Sequence, residues 1–146
     1  MDVEGFKREL FIMARDMQRI LHDTVAPLCQ QQGVTLQQMH VLLELVDVPG
    51  QTSSQLSERA GILRANFSSI CHKLEEQGLV ERRRNLHDRR SYELQITDEG
   101  RDLLTRIDSE VRRRYGKAFE AEPQETFEII LAGFGALGEF VGKLAR

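Results

Sequence analysis

Paired cysteines are missing from this sequence. Its two cysteines, Cys29 and Cys71, belong to no paired motif, and no apolar run is long enough to cross a membrane. The opening residues, Met-Asp-Val-Glu-Gly, carry neither a basic nor an apolar stretch, so no export signal is expected. These absences predict a soluble, cytoplasmic protein without a membrane partner. A glycine-rich phosphate loop, a nucleophile elbow and a paired metal-binding histidine motif are missing too, which argues against an enzyme and leaves no cofactor to expect. Internal repeats and low-complexity segments are absent. What remains, 146 residues of which 40% are hydrophobic and 29% charged, suits one globular domain with its own core.

The rest of the chain is organised around residues 61–97. A segment opening on Arg64 places Phe67, Ile70, Cys71 and Leu74 at i, i+3, i+4 and i+7, the spacing of one helix face, and Gly78 suits the residue just past its end. The opposite face holds Asn66, Ser68, Ser69, His72 and Lys73, groups able to approach base edges and phosphates; an ordinary solvated face has the same composition. Just before it, Thr52 and Gln55 form a capping box, Leu56 and Ala60 are due for burial, and Gly61 is free to take positive φ. Two short helices meeting at a sharp corner are the expected result, a helix-turn-helix.

After Gly78, residues 79–84 and 91–97 read as two strands, with Tyr92, Leu94 and Ile96 alternating, around a basic tip. Five Arg against one Asp between positions 82 and 90 give a local charge of +4 in a chain of net −3, so the remainder sums to −7. Like charges crowded on a hairpin repel across the strands, which favours contact with a polyanion over a purely structural role.

The run Leu74-Glu-Glu-Gln-Gly-Leu-Val-Glu-Arg82, then Asp88-Arg-Arg90, then Leu94-Gln-Ile-Thr-Asp-Glu-Gly100, resembles the winged-helix core of the MarR family of bacterial transcriptional regulators. The resemblance spans essentially the whole chain. It implies a mainly α fold with a small β-hairpin wing, in which residues 34–97 form the winged helix-turn-helix core and residues 1–33 and 98–146 form N- and C-terminal dimerisation helices. It further implies a homodimeric regulator, a repressor in the first instance, that binds a double-stranded DNA operator and responds to a small aromatic or amphipathic effector. By this likeness Arg90 enters the minor groove, oriented by Asp88, while Arg82, Arg84 and Arg89 sit near phosphates. An effector pocket is expected near Met17, His22 and His40. The sequence departs from the family where the recognition helix begins: the usual Arg is replaced, which leaves Asn66 as the candidate adenine reader.

Outside the core, residues 6–28 repeat apolar positions three or four apart, a long amphipathic helix that Pro27 kinks or restarts. Thr35 and Gln38 make a second capping box, and Pro49-Gly50 stops the helix that follows. Thr97 caps another long helix with Asp98 and Glu99 in its first turn, and Pro123 resets the chain. The last helix sets Phe127, Ile130, Leu131, Phe134, Leu137, Val141 and Leu144 in a near-heptad seam interrupted by Gly133, Gly135, Gly138 and Gly142. Each glycine costs about 1 kcal/mol of helix propensity, and close approach by the first helix of a partner subunit is the expected compensation.

Three other readings compete. A redox sensor would use Cys29, since Cys71 lies on an apolar face, and the cysteine early in the first helix that marks peroxide-sensing relatives is absent. A zinc sensor would draw on His22, Cys29, His40 and Glu44, but all four histidines lie at or before His87 and those expected after the wing are missing. A winged-helix protein-interaction module without specific DNA binding fits the acidic balance of the whole.

Overall fold

The computed structural model describes residues 1–87, Arg90 and 92–144; Asp88, Arg89, Ser91, Ala145 and Arg146 lie outside the described residues. Among the described residues seven helices and a hairpin follow in order: α1 (Val3–Thr24), α2 (Ala26–Gln31), α3 (Leu36–Asp47), α4 (Ser53–Ala60), α5 (Arg64–Glu76), β1 (Val80–Arg84), β2 (Tyr92–Ile96), α6 (Asp98–Ala121) and α7 (Gln124–Leu144). The chain divides into two compact units, Met1–Val111 and Arg112–Arg146.

In the first unit, α1 begins on Asp2, whose carboxylate accepts from the Gly5 amide at 2.7 Å. The amphipathic pattern of residues 6–28 does not run as one helix. Pro27 offers no N–H to the carbonyl four residues back, so α1 ends at Thr24 and Pro27 falls in the first turn of α2. Both capping boxes form: Thr35 with Gln38 at 3.1 and 2.8 Å, and Thr52 with Gln55 at 3.2 and 3.1 Å. Each satisfies two amides that helix geometry otherwise leaves without partners.

The core gathers Val41, Leu42 and Leu45 of α3, Leu56 of α4 and Phe67, Cys71 and Leu74 of α5, closed by Leu79 and Leu94 of the hairpin region. Two contributions were not evident from local patterns. The first turns of α6 bury Leu103, Leu104 and Ile107 in this same cluster. A third piece of chain also lies along β2: Leu94 donates to the Gln51 carbonyl at 3.2 Å, and Thr52 bridges Glu93. Gln51, itself buried, donates from Nε2 to the carbonyls of Glu44 and Val48, tying the end of α3 to the wing.

Both cysteines are inside. Cys29 has no exposed surface, and burial pushes its thiol up; Cys71 is 3% exposed and its thiol is pushed up to about 11, mainly by desolvation. That is the reverse of a reactive thiolate, and it removes the access that a sensor role for Cys29 requires. Cys71 is neutral in both states below pH 9. Between 9 and 11 the unfolded thiol releases its proton while the folded one keeps it, so its contribution to stability is lost as pH rises through that window. Urea melts at pH 8 and pH 10.5 should show a smaller alkaline loss in Cys71→Ala than in the parent; equal losses would refute this.

The second unit contains the end of α6 and all of α7, joined through Phe119 and Phe127, whose rings stack with centroids 5.5 Å apart. None of the described residues of α7 is buried in the single chain, and the same holds for α1. Among the described residues no helix is long and apolar enough to cross a membrane.

Candidate nucleic-acid interface

The corner between α4 and α5 is made by Gly61 at φ 64°, ψ 26°, where the left-handed backbone excludes a side chain at little cost only for glycine. Ser57 is buried beneath it and donates to the Ile62 carbonyl at 2.8 Å, closing the turn from inside. Arg64 donates to Ser54 Oγ at 2.7 Å, spanning from α5 back to the first turn of α4. A cavity of about 180 Å³ lies in this angle, lined by Ser53, Ser54, Arg64, Phe67 and Ser68.

Helix α5 buries Phe67, Cys71 and Leu74 and exposes Asn66, Ser68, Ser69, His72 and Lys73, the division its periodicity predicts. His72 faces Glu76 at 3.1 Å. The helix opens on Leu63, which is 75% exposed and supplies no side-chain cap, a choice no propensity rule anticipates. It ends in a tight left-handed turn: Gly78 N donates to Glu75 O at 3.0 Å and Leu79 N to Leu74 O at 2.9 Å, with Gly78 at φ 72°. Gln77 then anchors that end from outside, donating to the Gly33 carbonyl at 2.7 Å and accepting from buried Gln38 at 3.2 Å.

Strands β1 and β2 pair antiparallel, Val80 with Ile96 through Arg84 with Tyr92. The wing arginines are not alike. Arg82 donates to Glu75 Oε1 at 2.6 Å, Arg83 pairs with Glu81 at 2.9 Å, and Arg84 has no ion pair among the described residues. Arg90 is exposed. Asp88 and Arg89 lie outside the described residues, and with them the expected orientation of Arg90 by Asp88. Sequence reasoning missed Glu75 and Gln77; their partners are seven and 44 positions away, beyond any local pattern.

The residues expected near an effector lie on two helices, α1 and α3. Met17 and His22 lie exposed on α1, and His40 on α3 faces Glu44 at 3.6 Å, which also receives Arg59 at 3.0 Å. Among the described residues no group of three or more His, Cys, Asp or Glu is arranged to hold a metal ion.

A model of the MarR family matches residues 32–91. The homoprotocatechuate degradative operon repressor of Escherichia coli is 30% identical over 115 residues, covering 77% of this chain and 78% of that protein. The chain belongs to the MarR family. Among solved MarR-type structures, it is similar to NadR in complex with 4-hydroxyphenylacetate (TM-score 0.73, 28% identity, 86% of this chain and 89% of the other). It is also similar to the transcriptional repressor CouR bound to a 23-mer DNA duplex (TM-score 0.70, 27% identity, 100% and 99%). Its named MarR-family relatives are transcriptional regulators, and the α-rich winged architecture is theirs.

Proposed function

We propose that this chain is a homodimeric, cytoplasmic, operator-binding regulator, acting as a repressor without enzymatic activity, whose DNA affinity is set by a small aromatic or amphipathic acid. The observation that carries the DNA reading is a recognition helix whose Asn66, Ser68, Ser69, His72 and Lys73 are exposed and whose last turn is joined to a hairpin with a charge of +4 over residues 82–90. In this reading Asn66, Ser68, Ser69, His72 and Lys73 meet base edges and phosphates of a major groove. The Arg64 and Ser54 pair sits at the adjoining backbone. Arg84 and Arg89 follow phosphates, and Arg90, with Asp88, enters the minor groove beside them.

Support for ligand control comes from the relatives. NadR was solved with 4-hydroxyphenylacetate, and the Escherichia coli repressor that is 30% identical serves a homoprotocatechuate degradative operon by its name. A pocket near Met17, His22 and His40 is proposed for such an acid. The exposed apolar residues of α1 and of α7 are each proposed to be covered by a partner subunit, with residues 34–97 as the DNA-binding core.

Sequencing duplexes retained from a random pool tests the reading directly, followed by titrations at several salt concentrations. Arg90→Ala should lose about 1 to 3 kcal/mol for the enriched duplex and blunt its preference for narrow A·T-rich flanks. Arg84→Ala should weaken all duplexes alike and lower the salt slope by about one counterion. Full affinity in both variants, or retention without sequence enrichment, would instead favour the protein-interaction module. Release of bound DNA by 4-hydroxyphenylacetate or a similar acid tests the effector; no release and no rise in melting temperature would leave constitutive binding.

A further inference from the structure

The register of the wing puts Arg82 opposite Leu94 and Arg84 opposite Tyr92, so these two arginines share one face of β1 while Glu81 and Arg83 share the other. Arg83 folds back on Glu81 within its own strand. Arg82 reaches off the hairpin: its Nε donates to Glu75 Oε1 at 2.6 Å, and its guanidinium lies 5.9 Å from the centre of the Tyr92 ring. Glu75 stands in the last turn of α5 with a side chain only 27% exposed, and its backbone carbonyl accepts Gly78 N in the turn that leads to β1. One side chain therefore joins the recognition helix, β1 and β2.

Those contacts compete with a phosphate for the same cation. Turning Arg82 toward DNA would leave a half-buried Glu75 carboxylate unpaired beside a polyanion, the costly arrangement for a charge withdrawn from water. Arg84, on the same face, has no such competitor among the described residues.

We propose that Arg82 is a positioning residue and not a phosphate contact: held by Glu75 and Tyr92, it sets the angle of the wing against the recognition helix, and so the register in which both reach one duplex. This rests on the DNA-binding reading above for its consequence, though not for the angle itself.

The charge balance makes the test sharp. Glu75→Gln removes a negative charge from the surface facing DNA, so electrostatics alone predicts tighter binding to every duplex. Positioning predicts the opposite for the duplex enriched by the parent protein, a loss of roughly ten-fold, with the salt slope unchanged. Arg82→Gln should lose at least as much, since it also gives up the Tyr92 contact, and the double variant should be no worse than Arg82→Gln alone, because the Glu75 pair is already gone there. In amide hydrogen exchange, Glu75→Gln should speed exchange of the β1 and β2 amides that are protected in the parent, with the melting temperature little changed. Tighter binding in Glu75→Gln, additive losses in the double variant, or a slope reduced by about one in Arg82→Gln would make Arg82 a phosphate contact and overturn the proposal. A parent protein that enriches no duplex refutes the DNA reading, and the angle-setting role is then decided by exchange alone: unchanged protection in Glu75→Gln overturns it.

Discussion

Gly138→Leu is expected to convert the protein from dimer to monomer in sedimentation at micromolar concentration. In the single chain, a Cβ at Gly138 meets nothing within 4 Å, and Phe134 and Val141 flank it on the same helix face at 48% and 46% exposure. An uncovered apolar face interrupted by glycines is poorly suited to water and well suited to a close second helix. In a two-fold assembly any added side chain enters the interface twice. Overpacking at about 1 to 3 kcal/mol per site then becomes about 2 to 6 kcal/mol, or a rise of roughly thirty-fold or more in the dimer dissociation constant. The apparent melting temperature should also fall on dilution, as it does when folding and assembly are linked. A Gly138→Leu dimer of unchanged stability, or a parent protein sedimenting at 16.8 kDa, would show that this face is not the interface.

Gly100→Ala should be the most damaging single-methyl change in the first unit. A Cβ there would run into the Leu79 carbonyl oxygen and come within 2.7 Å of Ile96 Cγ1. Neither neighbour can retreat easily. The Leu79 oxygen already accepts the Thr97 amide at 3.1 Å, and Thr97 Oγ1 donates to the Gly78 carbonyl at 2.6 Å while accepting from Gly100 N at 3.1 Å. The first turn of α6 is thus locked onto the turn between α5 and β1. Alanine brings up to about 1 kcal/mol of helix propensity, less than the backbone clash, and a net loss of about 2 to 3 kcal/mol is expected. For a chain of this size that is a fall of roughly 5 to 10 °C in melting temperature. Because the clash falls just before β1 and at the end of β2, the hairpin is displaced and binding to the enriched duplex should weaken as well. A melting temperature within a degree of the parent would mean that α6 can move away from Leu79 freely.

Most of the helical frame was legible because its signals act within a few residues. The two capping boxes, Gly61 and Gly78 at the helix ends, Pro27 in the first turn of α2, and the buried spacing of Phe67, Cys71 and Leu74 each depend on hydrogen bonds or side-chain directions local to one or two turns. The exposed face of α5 followed from the buried one, since a helix has only one opposite side. The charge of the wing was legible in composition, and so was the family, from three short motifs in the right order.

What the tertiary structure decided is how those pieces divide their work. Nothing in the order of residues says that Arg82 turns to Glu75 while Arg84 does not, because both occupy the same face of one strand and differ only in what the folded chain brings near. Gln38, Gln77 and Gly33 form one hydrogen-bonded chain across three segments, and Gln51 finds β2 more than 40 positions on. Leu103, Leu104 and Ile107 read as one stripe of a long helix, yet only the folded chain places them in the same buried cluster as Leu74 and Leu79. By itself the sequence determined the elements, their ends and the placement of charge, through short-range hydrogen bonding and periodicity. Which arginine positions the wing, which glycine admits a backbone and which turns of α6 are core were decided only in three dimensions, where the partner of each group is remote in sequence and chosen by close packing.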